Sequence, residues 1–194
     1  MGELQLDMNK TAVMAMDFQK AIVTGVSMAQ ERGVVRKAKV VLDAARKAGL
    51  PVVHVVLQFR EGHPEVSPRN QMFSILKQMG MFVAGRDEAK IDESLGPLKG
   101  DIVVTRPRVS AFYNSDLSSI LNARGVDTVV LMGISTNWVV EGTARHAADA
   151  DYRVIVLEDC CAGITQEAHD ASVANILSQI AEVSTSEVFL AALC

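Results

Sequence analysis

The stretch GVVRKAKVVLDAARKAGLPVVHVVL, Gly33–Leu57, decides the fold class. Its first half sets apolar residues at Val34, Val35, Ala38, Val41, Leu42 and Ala45, the spacing of one buried helix face. Gly49 follows as a C-terminal stop. Pro51 then leads into Val52–Leu57, a β-branched run with no polar alternation. Such a run reads as a strand covered on both faces, which is how parallel sheets are built. The alternation continues in both directions. Thr11–Met16 (TAVMAM), Ile102–Thr105, Thr128–Ile134, Arg153–Leu157 and a short Val183–Thr185 predict further strands. Ser115–Ala123, with Ser115 as N-cap and Gly125 past its end, predicts a helix, as do Thr136–Asp149, Gln166–Ile180 and Ser186–Leu193. Strands alternating with helices give an α/β fold, a three-layer α/β/α sandwich around a mostly parallel, six-stranded, Rossmann-like sheet. At 194 residues the chain is expected to be a single domain, residues 1–194.

Composition narrows the function. Hydrophobic residues make up 49% and charged residues 22%, the balance of a globular domain and not of a disordered one. Nineteen basic against 23 acidic residues leave a net charge of −4, with no basic excess to neutralise phosphates, so no nucleic-acid partner is expected. No apolar run approaches the roughly 18 residues of a membrane span, and Met1–Lys10, with Glu3 and Asp7, lacks a signal-peptide core. A cytoplasmic protein without a membrane partner is the expectation. Cys160 and Cys161 are adjacent and Cys194 is the last residue, which suggests no disulfide framework. The four histidines (54, 63, 146, 169) are scattered, and neither CxxC nor HExxH occurs, so no metal is expected. The absence of GxGxxG, GxxxxGK[ST] and GxSxG argues against a nucleotide cofactor and against a serine elbow.

Residues Glu61–Gly100 break the alternation. They hold three of the five prolines and a helix-like stretch, Met72–Val83. A segment this long is not structureless in a compact domain. It is read as an excursion that covers the site or forms an interface. Met72, Phe73, Met79, Met81 and Phe82 suit core packing or an oligomer contact equally.

Ligands of such sheets bind beyond the carboxyl ends of the strands. The residues there are Asp17-Phe18-Gln19, Gln58-Phe59-Arg60, Arg106-Pro107-Arg108, Ser135-Thr136-Asn137 and Asp159-Cys160-Cys161. Asp17 faces the crevice or is a turn or capping residue. Arg106 and Arg108 offer planar donor forks suited to a carboxylate ligand, or are surface arginines. In Gly133–Glu141 a strand passes through small hydroxyl residues into a helix. The N–H groups at that start can hold an anion or oxyanion, or the start is simply capped by Thr136. His54, inside an apolar strand, reads as a core histidine and not as a ligand.

Three segments, VMAMDFQ (Val13–Gln19), FREGHPEVSP (Phe59–Pro68) and the long run from VVTRPRVSAF through GISTNWVVEG to LEDCCA (Val103–Ala162), together resemble the isochorismatase-like hydrolases, also called cysteine hydrolases. The resemblance covers nearly the whole chain in order. It implies a parallel sheet of about six strands and hydrolysis of amides such as nicotinamide or carbamoyl compounds, or of the vinyl ether of isochorismate. The family's triad is an Asp after the first strand, a Lys before the SAF motif and a Cys at the start of the helix after Gly-x-[ST]-[ST]. Asp17 matches the first, Arg106 stands at the Lys position and Val139 at the Cys position. A Val side chain cannot form a thioester, and Arg does not readily lend a proton. The resemblance therefore points to the family's noncovalent route, in which the Asp protonates the substrate and water finishes the reaction. That role needs a raised pKa, which Arg106 opposes and burial favours; the sequence leaves the balance open. The expected catalytic positions are Asp17, Arg106 and Val139, and the expected substrate-binding positions are Gln19, Arg108, Phe112, Ile134, Ser135 and Trp138. A cis peptide between Ile134 and Ser135 is implied as well. So is a homo-oligomer, dimer or tetramer, with Met72–Val83 and the Trp138 region at its interface. The function expected is hydrolysis of a small anionic metabolite without a covalent thiol intermediate; the alternative is an inactive paralogue that binds a small molecule in the retained pocket.

Overall fold

In the computed structural model, which describes residues 4–193, β1 (Thr11–Met16) is buried at every position, as its unbroken apolar run requires. α1 (Lys20–Gly25) and α2 (Ser27–Glu31) follow, and then α3 (Val34–Lys47). The buried face of α3 is Val34, Ala38, Val41, Leu42 and Ala45, the stripe read from its spacing. Next come β2 (Val52–Leu57), α4 (Gln71–Met79), β3 (Ile102–Arg106), α5 (Leu117–Ala123) and β4 (Thr128–Ile134). α6 (Glu141–Asp149), β5 (Arg153–Ala162), α7 (Gln166–Ser172), α8 (Ser178–Ile180), β6 (Glu182–Ser184) and α9 (Ser186–Ala191) complete the order.

The six strands lie in the order β3-β2-β1-β4-β5-β6, and each neighbouring pair is parallel. The sheet is thus wholly parallel. α3 packs across β1, β2 and β5 beside α9, while α6 packs on β5 and against α8; the helices clothe the sheet as the outer layers of an α/β/α sandwich. The strand order reverses between β1 and β4, and at such a switch point the crossovers leave a crevice at the carboxyl edge. Gly133 permits the approach there: it pairs with Met16, and a Cβ on it would stand 2.5 Å from the Met16 carbonyl oxygen.

Several boundaries differ from those expected. β5 runs on to Ala162 past a register shift opposite Leu131–Gly133. Cys160 and Cys161 therefore sit within the strand, fully buried, and not beyond it. The helix expected over 136–149 opens with a π turn, Thr136–Val140, and the one expected over 166–180 is interrupted by another, Val173–Leu177. α5 begins two residues after Ser115, whose hydroxyl still accepts a bond from the Leu117 N–H at 3.3 Å. In the excursion, Asn70 caps α4 through the Phe73 N–H, and Gly80 ends it in the left-handed region. Phe73 and Phe82 are buried in a second, smaller core with Leu57, Phe59, Val66 and Ala89. Ile75 and Met79, on the same helix, are 52% and 63% exposed. The excursion thus supplies core on one face and uncovered apolar surface on the other. Among the described residues no helix is long and apolar enough to cross a membrane.

Candidate active site

Asp17 is the first residue beyond β1. Its backbone turns into the left-handed region (φ 57°) while its N–H still bonds the Val55 carbonyl at 2.9 Å; Asp tolerates this conformation better than most side chains. Arg106 ends β3, two strands away. Its Nη2 donates to Asp17 Oδ2 and its Nη1 to the Arg108 carbonyl. The ion pair is buried, with side-chain exposures of 2% for Arg106 and 7% for Asp17. Burial pushes the Asp17 carboxyl above its ordinary range, outweighing the charge and hydrogen bond of Arg106 and a backbone hydrogen bond from Leu57, which pull it down. Asp17 Oδ1 and Arg106 Nε have no hydrogen-bond partner.

The pair forms the floor of a cavity of about 260 Å³ together with Ile134, Ser135 and Val139. The Ile134–Ser135 peptide is cis, as the resemblance implied. Val139 is buried and lines the space directly. Thr136 does not cap the turn that carries these residues. Its hydroxyl shares a 2.8 Å hydrogen bond with His169 Nδ1. His169 Nε2 in turn lies 3.4 Å from Glu158 Oε2, which accepts from Arg32 Nη2 at 2.7 Å. This chain of partners ties the π turn to α7 and β5. The walls are apolar: Ile22 and Val26 from the α1 side, Phe73 and Leu76 from the excursion, with Trp138 and Ile164 partly exposed at the rim. Arg106 also lines a second, polar cavity of about 280 Å³ with Gln58, Arg60, Glu65 and Asn114.

Of the expected site residues, Asp17, Arg106, Val139, Ile134, Ser135 and Trp138 meet at the first cavity. Gln19, Arg108 and Phe112 do not. Gln19 is fully buried: its Nε2 donates to the Leu57 and Ala89 carbonyls at 2.9 and 2.7 Å, and its Oε1 accepts from the Leu57 N–H at 2.8 Å. It clamps the end of β2 to the excursion. Arg108 donates to the Pro107 and Glu65 carbonyls and lies over the Phe73 ring at 5.4 Å. Phe112 stacks on His146 at 4.9 Å, away from the cavity. Arg106 and Arg108 both bond groups within the protein, and Arg108 does not line the first cavity. The walls from Ile22, Val26 and Ile164 went unread, because isolated apolar residues outside the main periodic runs carry no site signal.

The remaining candidates are structural. His54 Nε2 lies 3.1 Å from Asp101 Oδ2, and His63 Nε2 bonds the Met81 carbonyl at 2.7 Å. Among the described residues no three His, Cys, Asp or Glu side chains gather as a metal-holding group. Burial drives the Cys160 thiol far above its normal pKa and pushes Cys161 up to about 12. Cys194 lies outside the described residues.

The isochorismatase domain model matches residues 11–188. The chain is 34% identical to the isochorismatase family protein YwoC of Bacillus subtilis, over 98% of this chain and 97% of that protein. It is 33% identical to the ureidoacrylate amidohydrolase RutB of Stutzerimonas stutzeri, over 96% of this chain and 84% of the relative. A cysteine hydrolase from Pseudomonas syringae shares the fold, with a TM-score of 0.84 at 23% identity over 98% of this chain and 95% of that one.

Proposed function

The chain belongs to the isochorismatase family, and from that premise we propose that it hydrolyses a small molecule at the Asp17–Arg106 cavity without a covalent thiol intermediate. One observation carries the reading: a buried carboxyl with a raised pKa, paired to a fixed cation, at the floor of a cavity that opens at the sheet's switch point. The position of the family's nucleophile is taken as Val139, which has no proton to lose and no bond to form with an acyl carbon. Asp17 then carries the proton traffic. With an enol ether it gives its proton to the terminal vinyl carbon. Water adds to the neighbouring carbon, the hemiketal breaks into alcohol and ketone, and the released proton restores Asp17. With an amide it takes the proton of the attacking water and returns it to the leaving nitrogen. Arg106 holds the carboxyl in place and balances its charge once the proton has gone. The N–H groups at the start of the π turn hold the substrate carbonyl. The amidohydrolase name of the RutB relative supports the amide branch.

The decisive experiment is a hydrolysis screen over isochorismate, carbamoyl acids and small amides, with Asp17→Asn as the blank. Turnover that Asp17→Asn removes supports the reading; no turnover of any class, or turnover indifferent to the substitution, overturns it. A second reading, a paralogue that binds a small molecule without converting it, draws support from the apolar walls and from Val139. The open cavity between Asp17, Arg106 and Ser135 favours the enzyme. The reading also places the protein in the cytoplasm as a homo-oligomer, dimer or tetramer, joined through the uncovered apolar side chains of α4 and the Trp138 region.

A further inference from the structure

We infer that His169 is a positioning residue: its ring holds the turn Thr136–Val140 in the shape that lines the cavity, and so sets the N–H groups on which hydrolysis there depends. The inference rests on the hydrolase reading for its effect on rate, and on the hydrogen bonds alone for its effect on the turn. Ser135, Trp138 and Val139 line the cavity. Thr136, in the same turn, is fully buried and commits its hydroxyl to His169 Nδ1 at 2.8 Å. Packing alone lets a turn slide by small amounts. A hydrogen bond resists this, because it weakens steeply away from its geometry. Misplacing a catalytic group by about 1 Å costs a reaction on the order of 100-fold.

The ring is itself fixed from several sides. The His169 N–H donates to the Thr165 carbonyl at 3.1 Å. Gly163 comes so near that a Cβ on it would stand 2.9 Å from the His169 nitrogen and 3.0 Å from its Cβ. Nε2 lies 3.4 Å from Glu158 Oε2, and Arg32 Nη2 donates to that oxygen and to the Glu158 carbonyl at 2.7 and 3.1 Å. The contact with His169 and the pairing with Arg32 hold the Glu158 carboxyl below its ordinary range, against the effect of burial. An ionised carboxylate only accepts, so the proton facing it is on Nε2. In the neutral ring Nδ1 is then an acceptor, and the Thr136 hydroxyl donates to it. Arg32 directly follows α2, and Val26, just before α2, is a wall of the cavity. Ile164, between Gly163 and Thr165, is part of its exposed rim. One buried ring thus joins three segments that frame the cavity.

The test uses Trp138, the only tryptophan of the chain, which sits in the turn and is 40% exposed. Its emission maximum and its quenching by iodide are measured in the full chain and its variants. Beside them, kcat and KM are measured on the compound that the hydrolysis screen finds to be turned over. Thr136→Val, nearly isosteric, and His169→Ala are each expected to shift the emission and to lower kcat about 10–100-fold with KM little changed. Together they are expected to cost no more than either alone, because they break the same bond. His169→Asn, which sets an acceptor where Nδ1 stands, is expected to restore both readouts; His169→Gln, which reaches only towards Glu158, is not. Ser172→Ala removes a different bond of α7, the one its hydroxyl donates to Glu141 Oε2 at 2.7 Å. It is expected to lower stability and leave emission and kcat alone. Should His169→Ala fail to fold, Thr136→Val carries the test. Unchanged emission and kcat in folded Thr136→Val overturn the inference, as do additive losses in the double variant or an equal effect of Ser172→Ala. If no compound is turned over, the hydrolase reading fails, and the emission series decides the inference by itself: a shift in Thr136→Val upholds it and no shift overturns it.

Discussion

Asp17→Asn keeps the shape of the side chain and removes its proton chemistry. Its loss from a proton-transfer step should cost about 10²–10⁴-fold in rate, with the circular dichroism spectrum unchanged. The raised pKa also makes a statement about stability. A carboxyl that holds its proton more tightly folded than unfolded contributes stability that is complete below its ordinary pKa of about 3.9 and lost as pH rises through the raised value. Urea midpoints of the wild-type protein should therefore fall relative to those of Asp17→Asn as pH rises from 4 towards the raised value, and parallel profiles would contradict the raised pKa. Gln19 shows where residue-scale reading fails. Its place just beyond a strand is the same signal that picked out Asp17, and only the partners of its amide separate clamp from ligand. Gln19→Leu should cost roughly 2–5 kcal/mol in chemical denaturation, because three buried backbone groups lose their partner at about 1–3 kcal/mol each with partial relaxation. Iodoacetamide should leave activity intact, since Cys160 and Cys161 are buried and their thiolates are strongly disfavoured; inactivation traced to either and blocked by substrate would restore a thiol route.

Elements were legible where burial is uniform. β1, β2 and β4 are buried along their whole length and read as solid apolar runs. The far half of β5 was missed because Glu158 and Asp159 interrupt its run just where the register shifts. The π turns, five residues each, are too short to show in an apolar period read over a whole helix. Yet the turn at Thr136–Val140 carries much of the site, and β4 delivers it. Gly133→Ala should test that delivery. The added methyl group meets the Met16 carbonyl at 2.5 Å, so β1 and β4 must part at the floor of the cavity. A loss of about 1–3 kcal/mol, or more if the backbone cannot give, should appear in thermal unfolding, together with weaker ligand binding. An unchanged melting temperature would show that the two strand ends are not held this close.

At the scale of the molecule, the fold class followed from the alternation of elements, but the strand order did not, because periodicity does not say which strands pair. Nor could a sequence pattern divide the excursion between core and surface. Of the eight large apolar side chains exposed among the described residues, Ile75, Met79, Trp138 and Ile164 lie on α4 and around the mouth of the cavity, while Val40, Leu98, Val103 and Tyr113 lie elsewhere. Apolar surface of this kind on a folded domain commonly marks a contact. Sedimentation at micromolar concentration should show a dimer or tetramer, and Ile75→Lys with Met79→Lys should shift it towards the monomer; a wild-type monomer would end the proposal. The order β3-β2-β1-β4-β5-β6 carries a further consequence, in time. Thr11 pairs with Thr128, so more than a hundred residues must leave the ribosome before the central strand gains its second neighbour. At about 5–20 residues per second, β1 waits several seconds with one edge open, long after β2 is available to it. The crevice that holds Asp17 is bounded by the late pairing. In the nascent chain it cannot form until β4 has emerged, and a chain halted before Ile134 carries the Asp without a site to put it in.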